Sequence, residues 1–371
     1  MKVTIHKLFD YLLETTAADP PECFIGFSLA RSPRLKDFLA DLDPDLSLDW
    51  NGASFLGLPA LRQRVLDQAG LKLNPDTVLI TAGAAEANYL LFRQLLVAGD
   101  EIVTEAPGWP QAGVMARAIG AKLVEVPRDE SRGWELDPEA VSCAITPRTR
   151  MIFLTNPNNP TGRLIPEADL RALAALADRH GIWLVVDEVY AGLEWRGPRQ
   201  PAIAGLTPFG ITTGSVSKAL GLQGLRTGWM ICQSAEVIRD AMILRENSSE
   251  IMNIMGEHIA EIALRPDRLG PALDRARTEG RAALDRLHRF VTEEPRLSWH
   301  RPEAGLIGLA RLQGEDGESL ARALLQPPYR TFLLPGSAYG LPGHIRLGAG
   351  GGQEARLDEG LQRLSQYLAA K

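Results

Sequence analysis

Between about residue 76 and residue 232, short apolar runs alternate with longer amphipathic segments. The runs are rich in Val and Ile, and helical periodicity fills the intervals at 84–97, 111–119 and 166–180. Runs this apolar predict strands that are buried on both faces, as in a parallel sheet with helices on each side. The predicted strands are residues 77–81, 101–105, 122–126, 151–155, 182–187, 211–215 and 227–232.

Beyond residue 233 the pattern changes to long helical segments at 235–246 and 271–290. A mixed region follows, with predicted strands near 306–312, 331–334 and 344–347, a helix near 318–325 and a terminal helix. We therefore expect an α/β protein: a large domain with a mostly parallel seven-stranded sheet covered by helices, plus a smaller α+β domain. The predicted boundaries are 50–265 for the large domain, and 1–49 with 266–371 for the small one. The glycine run at 348–352 follows a strand outside any nucleotide-loop context and is interpreted as a flexible turn.

Composition and charge exclude several classes of protein. The 371 residues are 45% hydrophobic and carry a formal charge of −6, which gives no reason to expect nucleic acid or a membrane surface as partner. No apolar run approaches the roughly 20 residues that span a bilayer, and the first residues lack a signal-peptide core. The three cysteines form no CxxC pair, and the six histidines form no HExxH motif. We expect a cytoplasmic protein without disulfides or a bound metal.

Chemistry-bearing residues follow the predicted strands, where ligands bind in α/β sheets. A partly desolvated Lys218, after Ser215 and Ser217, can form a Schiff base with a carbonyl, and Arg226 with a serine hydroxyl suits a phosphate dianion. Asp187 ends another strand, where a buried acid needs a cationic partner such as a protonated pyridine nitrogen. Taken alone, each residue also fits an ordinary role, for example a solvated lysine or a helix N-cap.

Three further strand ends carry complementary groups. Small residues at 82–85 join a strand to a helix whose first N–H groups can bind an anion. Trp109 lies between prolines and offers a flat face, although core packing is an equally ordinary role. Asn159 can donate to an anionic oxygen, and we predict that the Asn159–Pro160 bond is cis. Together these groups describe a pocket for a phosphorylated, ring-protonated aldehyde beside a lysine.

The motifs NPNNPTG, DEVY and SVSK, with an arginine eight residues after the lysine, resemble the class I/II aminotransferases, which are pyridoxal-phosphate enzymes of fold type I. The resemblance implies that Lys218 holds pyridoxal 5'-phosphate as a Schiff base, that Asp187 pairs with the ring nitrogen, and that Tyr190 bonds the ring oxygen. It also implies that Asn159 bonds this oxygen and that Trp109 stacks on the ring. The positions matched to the cofactor are Gly83, Ala84, Ala85, Trp109, Asn159, Asp187, Tyr190, Ser215, Ser217, Lys218 and Arg226.

Substrate binding is implied by the same resemblance, with two departures. Arg346 matches the arginine that clamps the substrate α-carboxylate, with Asn159 and Gly26 beside it. Gly52 stands where many relatives have a tyrosine that reaches the partner subunit's phosphate site; either Trp50, Asn51 or Phe55 substitutes for it, or the contact is lost. The loop that usually covers the substrate is also unusual here, reading FIGFSL at residues 24–29. Because both departures lie near the substrate, the sequence defines the reaction type and the substrate less well than it defines cofactor binding.

The resemblance implies transfer of an amino group from an L-amino acid to a 2-oxo acid through the Lys218 Schiff base and a quinonoid intermediate, in a homodimer. The alternative is another pyridoxal-phosphate reaction on this fold: β- or γ-elimination, cyclisation or oxidation. A third class is a binding module, such as a regulator's effector domain. We do not expect it, because the catalytic residues are complete and no helix-turn-helix segment is recognised ahead of the fold.

Overall fold

The computed structural model describes residues 3–4, 7–16, 20–49, 54–350 and 354–371. The candidate substitutes Trp50 and Asn51, the departure at Gly52 and the end of the glycine run at 351–352 lie outside these ranges. The strands are β1 (Cys23–Phe24), β2 (Val78–Thr81), β3 (Glu101–Ala106), β4 (Lys122–Pro127), β5 (Thr149–Thr155), β6 (Trp183–Asp187), β7 (Gly210–Ser215), β8 (Gly228–Cys232), β9 (Leu297–Trp299), β10 (Ile307–Leu312), β11 (Thr331–Phe332), β12 (Leu334–Pro335) and β13 (His344–Gly348). The α-helices are α1 (Lys7–Thr16), α2 (Pro59–Ala69), α3 (Ala84–Leu95), α4 (Gln111–Ile119), α5 (Pro138–Cys143), α6 (Glu167–His180), α7 (Ala235–Glu246), α8 (Ile254–Ala263), α9 (Pro266–Glu293), α10 (Gly317–Leu325) and α11 (Glu354–Ala369).

Seven strands form the main sheet, in the spatial order β2-β8-β7-β6-β5-β3-β4. All adjacent pairs from β4 to β7 are parallel, whereas β8 is antiparallel to both of its neighbours. The predicted mostly parallel seven-stranded sheet is therefore confirmed. In its register, Asp187 lies between Thr155 of β5 and Thr213 of β7. The carboxyl ends of the parallel strands thus meet at one edge, where the loops that follow them carry the candidate residues.

Side-chain alternation along the strands explains why helices cover both faces of this sheet. In β5, Met151 and Phe153 join a buried cluster with residues of α3, α4 and α7. Ile152 and Leu154 point to the other face and pack with residues of α5 and α6. Successive strand residues point to opposite faces, so an uninterrupted apolar run buries both.

The C-terminal region contains a four-stranded antiparallel sheet in the order β12-β13-β10-β9. β1 pairs in parallel with β11, and Tyr11 and Ile25 lie in the same buried cluster as residues of α9, α10 and α11. Tyr11 and residues 23–25 therefore pack against this region, whereas Phe38, which was predicted to belong with them, lies in a buried cluster with residues of α2 and β2. The boundary at 265/266 stays a prediction.

None of the helices in the described ranges combines the length and apolar character needed to cross a membrane.

The helical assignments differ from the sequence-based prediction at the start of α9 and at α1, α2, α5 and α8, which were not predicted. The helix predicted at 271–290 is α9, which begins at Pro266 and includes Pro271 in its interior. The prediction placed Pro271 in the first turn, where proline is favoured, but Pro266 occupies that place. Helix α8 was not predicted; it packs in the same buried cluster as residues of α2.

A buried ion pair joins two strand ends beside the candidate site. The Arg128 guanidinium lies 2.7 Å from the Glu105 carboxylate, and the two side chains are 0% and 1% exposed. The other Glu105 oxygen accepts from the Thr155 N–H at 2.8 Å, and Arg128 also donates to the Trp134 carbonyl. The pair therefore fixes the end of β3 relative to the loop that follows β5.

We expect Arg128→Met to lower the free energy of unfolding by about 3–5 kcal/mol, because it leaves a buried carboxylate without its cation. Denaturant unfolding of the purified protein measures this. The matched control is Arg132→Met, which removes an exposed pair with Glu135 and should cost about 0.5 kcal/mol. Adding Glu105→Leu to Arg128→Met should recover most of the loss. Equal destabilisation by the two arginine variants would contradict this expectation.

Candidate active site

Lys218 follows β7, and its amine is largely buried. Its Nζ donates to Ser28 Oγ at 3.3 Å and lies 5.9 Å from the centre of the Tyr190 ring. Burial, together with the positive charges of Arg346 and Arg226, lowers the pKa of Lys218 to about 8 against the opposing effect of Asp187. Part of the lysine is therefore a neutral amine near neutral pH, which is the form that reacts with an aldehyde.

Asp187, at the end of β6, is buried and bonded only by neutral donors among the described residues. Asn88 Nδ2 donates to one carboxylate oxygen at 2.8 Å, and the Val189 N–H donates to the other at 3.0 Å. Burial raises the pKa of Asp187 to about 6, although these hydrogen bonds and Lys218 oppose the rise. A protonated ring nitrogen would supply the cation that this carboxylate lacks.

Asn88 on α3 was not predicted as a site residue. It is 1% exposed, and its Oδ1 accepts from Thr213 Oγ1 at 2.8 Å, so Thr213 fixes the amide that bonds Asp187. The only sequence signal was an amide among the apolar residues of α3. That signal does not identify its partner, which lies 99 positions away.

Arg346 on β13 belongs to a second buried cluster. Its Nη1 donates to Asn159 Oδ1 at 3.0 Å and to the Tyr339 hydroxyl at 2.8 Å, while its Nη2 donates to the Gly26 carbonyl at 2.9 Å. Tyr339 also donates to Asn159 Oδ1 at 3.1 Å. Arg346 is 5% exposed, forms no ion pair with any described residue, and has an unpartnered buried Nε. A buried guanidinium with only neutral partners suits a carboxylate from a ligand.

Tyr190 and Ser28 lie between the groups around Lys218 and Asp187 and the cluster around Arg346. The Tyr190 hydroxyl donates to Ser28 Oγ at 3.0 Å, and burial raises the pKa of Tyr190, which keeps it a neutral phenol. Ser28 and Tyr339 were missed as site residues by the sequence interpretation. Ser28 lies in the loop of unusual sequence at 24–29, and Tyr339 lies seven residues before Arg346. Neither pattern indicates which hydroxyl faces the lysine.

The predicted phosphate-binding residues meet at the start of α3. Gly83 begins this helix with φ of +85°, and a Cβ there would lie 2.5 Å from Arg226 Nη2. A Cβ on Gly228 would lie 2.5 Å from the Gly83 carbonyl carbon, so both positions require glycine. The N–H groups of Ala84 and Ala85 open the helix and have no helical acceptor. Together with Arg226 and the Ser215 hydroxyl, they have the donor chemistry of a phosphate site.

The remaining predicted residues have less specific surroundings. Ser217 is buried, and its N–H donates to Ser215 Oγ at 3.2 Å. Trp109 is partly buried against the C-terminal core, and its stacking on a ring stays a prediction. The Asn159–Pro160 bond is cis, as predicted, and the bonds preceding Pro107 and Pro157 are cis as well.

Comparisons with known proteins agree with this arrangement. Residues 51–364 match the family described as aminotransferase class I and II. A probable aspartate/prephenate aminotransferase of Thermus aquaticus is 31% identical over 84% of this chain and 82% of its own length. A pyridoxal-phosphate-dependent aminotransferase from Streptococcus suis superposes with a TM-score of 0.90 at 26% identity, over 100% of this chain and 99% of its own. A pyridoxal-phosphate-dependent cyclase, OrfR, superposes with a TM-score of 0.87 at 27% identity, over 100% and 98%. The chain therefore belongs to the class I and II aminotransferases and is a pyridoxal-phosphate-dependent enzyme, a transaminase.

Proposed function

We propose that this enzyme moves the amino group of an L-amino acid to a 2-oxo acid, with pyridoxal 5'-phosphate attached to Lys218. The observation that supports this most directly is that one buried region combines a lysine of lowered pKa, a carboxylate without a cation and a guanidinium without an ion-pair partner among the described residues. These groups match an aldehyde, a ring nitrogen and a substrate carboxylate in turn.

The residues fit the cofactor at each end. Asp187 would hold the ring nitrogen, Tyr190 and Asn159 the ring oxygen, and the start of α3 with Ser215 and Arg226 the phosphate. When bound, the cofactor supplies an electron-withdrawing ring that weakens the bonds at the substrate Cα. With its amine free, Lys218 would act as the base that removes the proton from the substrate Cα and as the acid that gives a proton back in the following step.

Arg346 would orient the substrate through its α-carboxylate. Its guanidinium is held on three sides by Asn159, Tyr339 and Gly26, so its direction is fixed before the substrate arrives. The α-carboxylate is common to all amino acids and all 2-oxo acids. The proposal therefore covers the reaction and leaves the substrate side chain open.

We also propose that the enzyme is a cytoplasmic homodimer. Among the described residues, Leu35, Leu39, Leu48, Phe55 and Ile243 are large apolar side chains between 47% and 69% exposed. Arg245, near the end of α7, donates to the Phe55 carbonyl, so the backbone at Phe55 contacts the helix that carries Ile243. Burial of these apolar side chains would favour association. The three cysteines are free thiols, which supports a reducing compartment.

The reaction is tested by incubating the loaded enzyme with single amino acids, with and without a 2-oxo acid. We expect the cofactor absorbance to change once without an acceptor, and continuous turnover with formation of a new amino acid when an acceptor is added. Lys218→Ala should abolish turnover. Continuous release of ammonia or of a cyclised product without an acceptor would instead favour a lyase or a cyclase, the activity named for OrfR.

Arg346→Ala should lower kcat/KM by about 30- to 1000-fold, since it removes a buried charged partner of the substrate carboxylate. The factor should be similar for amino acids with different side chains. Steady-state kinetics with three unlike substrates measures this, and Arg171→Ala, an exposed pair with Glu167 on α6, is the control. A loss confined to one substrate would contradict the assigned role.

Light scattering during size-exclusion chromatography should give about twice the chain mass of 40.5 kDa. Phe55→Asp with Ile243→Asp should shift the protein towards the monomer, because each places a charge on an apolar contact. Val97→Asp, at an apolar side chain that is 64% exposed and follows α3, is the matched control and should leave the mass unchanged. A monomeric wild-type protein would overturn the dimer.

A further inference from the structure

Ser28 makes two contacts within the proposed site that none of the roles assigned so far requires. Its Oγ lies 3.3 Å from Lys218 Nζ and 3.0 Å from the Tyr190 hydroxyl, and the residue is 5% exposed. It belongs to the 24–29 segment, which the resemblance places over the substrate. The hydroxyl therefore touches the nitrogen on which the proposed reaction depends.

The backbone around Ser28 is fixed on both sides. On one side, Gly348 N–H donates to the Ile25 carbonyl at 2.8 Å and Gly350 N–H donates to the Phe27 carbonyl at 3.2 Å. On the other, Ala30 N–H donates to the Lys218 carbonyl at 2.9 Å. This loop is thus held between β13 and the lysine segment, and Ser28 lies between the two attachments. The backbone position of Ser28 therefore follows from the fold.

A serine hydroxyl offers two acceptor lone pairs and one proton. In this structure one lone pair accepts from Lys218 and the other from Tyr190. The charged and titratable groups that act on Lys218 electrostatically are Asp187, Arg346 and Arg226, and the last two disfavour its ammonium form. Ser28 supplies the only side-chain hydrogen-bond acceptor of Lys218 Nζ among the described residues.

We propose that Ser28 is a further catalytic residue, whose hydroxyl holds the free amine of Lys218 in place and accepts a hydrogen bond from it after the amine has taken the substrate proton. This role rests on the proposed function. In the proton-transfer step the substrate Cα–H bond would break and its proton would form a new N–H bond on Lys218, while the electron-withdrawing cofactor, when bound, would accept the electron pair. The resulting ammonium donates to Ser28 Oγ, and no further reactant is required.

The first test measures the amine itself. Lys218 in cofactor-free protein is reductively methylated across a range of pH, and the labelled peptide is quantified by mass spectrometry. Half-maximal reaction is expected near pH 8 in the wild type, where burial sets the pKa of Lys218. In Ser28→Ala it should fall by about one pH unit, because loss of the acceptor disfavours the charged form. Ser28→Thr keeps the hydroxyl and should restore the wild-type value.

The second test measures proton transfer in the loaded enzyme. Single-turnover reaction with an amino acid should slow about tenfold in Ser28→Ala, with KM changed less than about threefold, since Arg346 still binds the carboxylate. Deuterium at the substrate Cα should slow the variant at least as much as the wild type. Ser298→Ala, at an exposed serine on β9, is the control for the substitution and should match the wild type in both tests.

An unchanged pH of half-maximal methylation in Ser28→Ala, or an unchanged single-turnover rate, overturns the proposal. If Ser28→Ala fails to fold, Ser28→Thr and Ser28→Cys carry the same comparison, with retained and weakened acceptors. A wild-type protein that transfers no amino group would instead contradict the proposed function. The methylation experiment would still decide whether Ser28 holds the amine.

Discussion

The site depends on keeping an amine, a carboxylate and a guanidinium out of water without letting them neutralise one another. Lys218, Asp187 and Arg346 form no ion pairs with described residues, and each is held by neutral hydrogen-bonding partners. Burial of an unpaired charge is unfavourable. The hydrogen bonds from these neutral partners offset part of the cost of burying each group. A ligand of complementary charge relieves the remaining unfavourable free energy of burying these groups, and this relief favours binding of the ligand.

The two parts of the fold contribute different members of this set. The main sheet supplies Lys218 and Asp187 at its carboxyl edge, whereas Arg346 comes from β13 of the second sheet. A contact between the two parts lies two residues from Arg346: the buried His344 imidazole is 3.1 Å from the Glu130 carboxylate, which also accepts from Arg311. His344 and Arg311 are register partners on β13 and β10. Glu130 therefore ties the strand that bears Arg346 to the loop following β4.

Local sequence patterns were sufficient to predict the main sheet and the residues at its strand ends. An apolar run such as 151–155 can be buried on both faces only within a layered sheet, so its place needed no knowledge of distant residues. Asp187, Lys218 and Asn159 were predictable for the same reason, because each stands at the end of such a run. Helix α8 and the start of α9 were not, since their positions depend on packing against α2 and on a choice between two prolines.

The residues that the sequence did not reveal share one property: their roles arise from contacts between distant segments. Ser28 meets Lys218 across 190 positions, Asn88 meets Asp187 across 99, and Tyr339 meets Asn159 across 180. None of the three belongs to the motifs that identify the family, and each is an ordinary polar residue in its own segment. The groups at the strand ends can therefore be inferred from motifs, whereas the residues that hold them come from other segments: Asn88 from α3, Ser28 from the N-terminal segment and Tyr339 from the segment before β13.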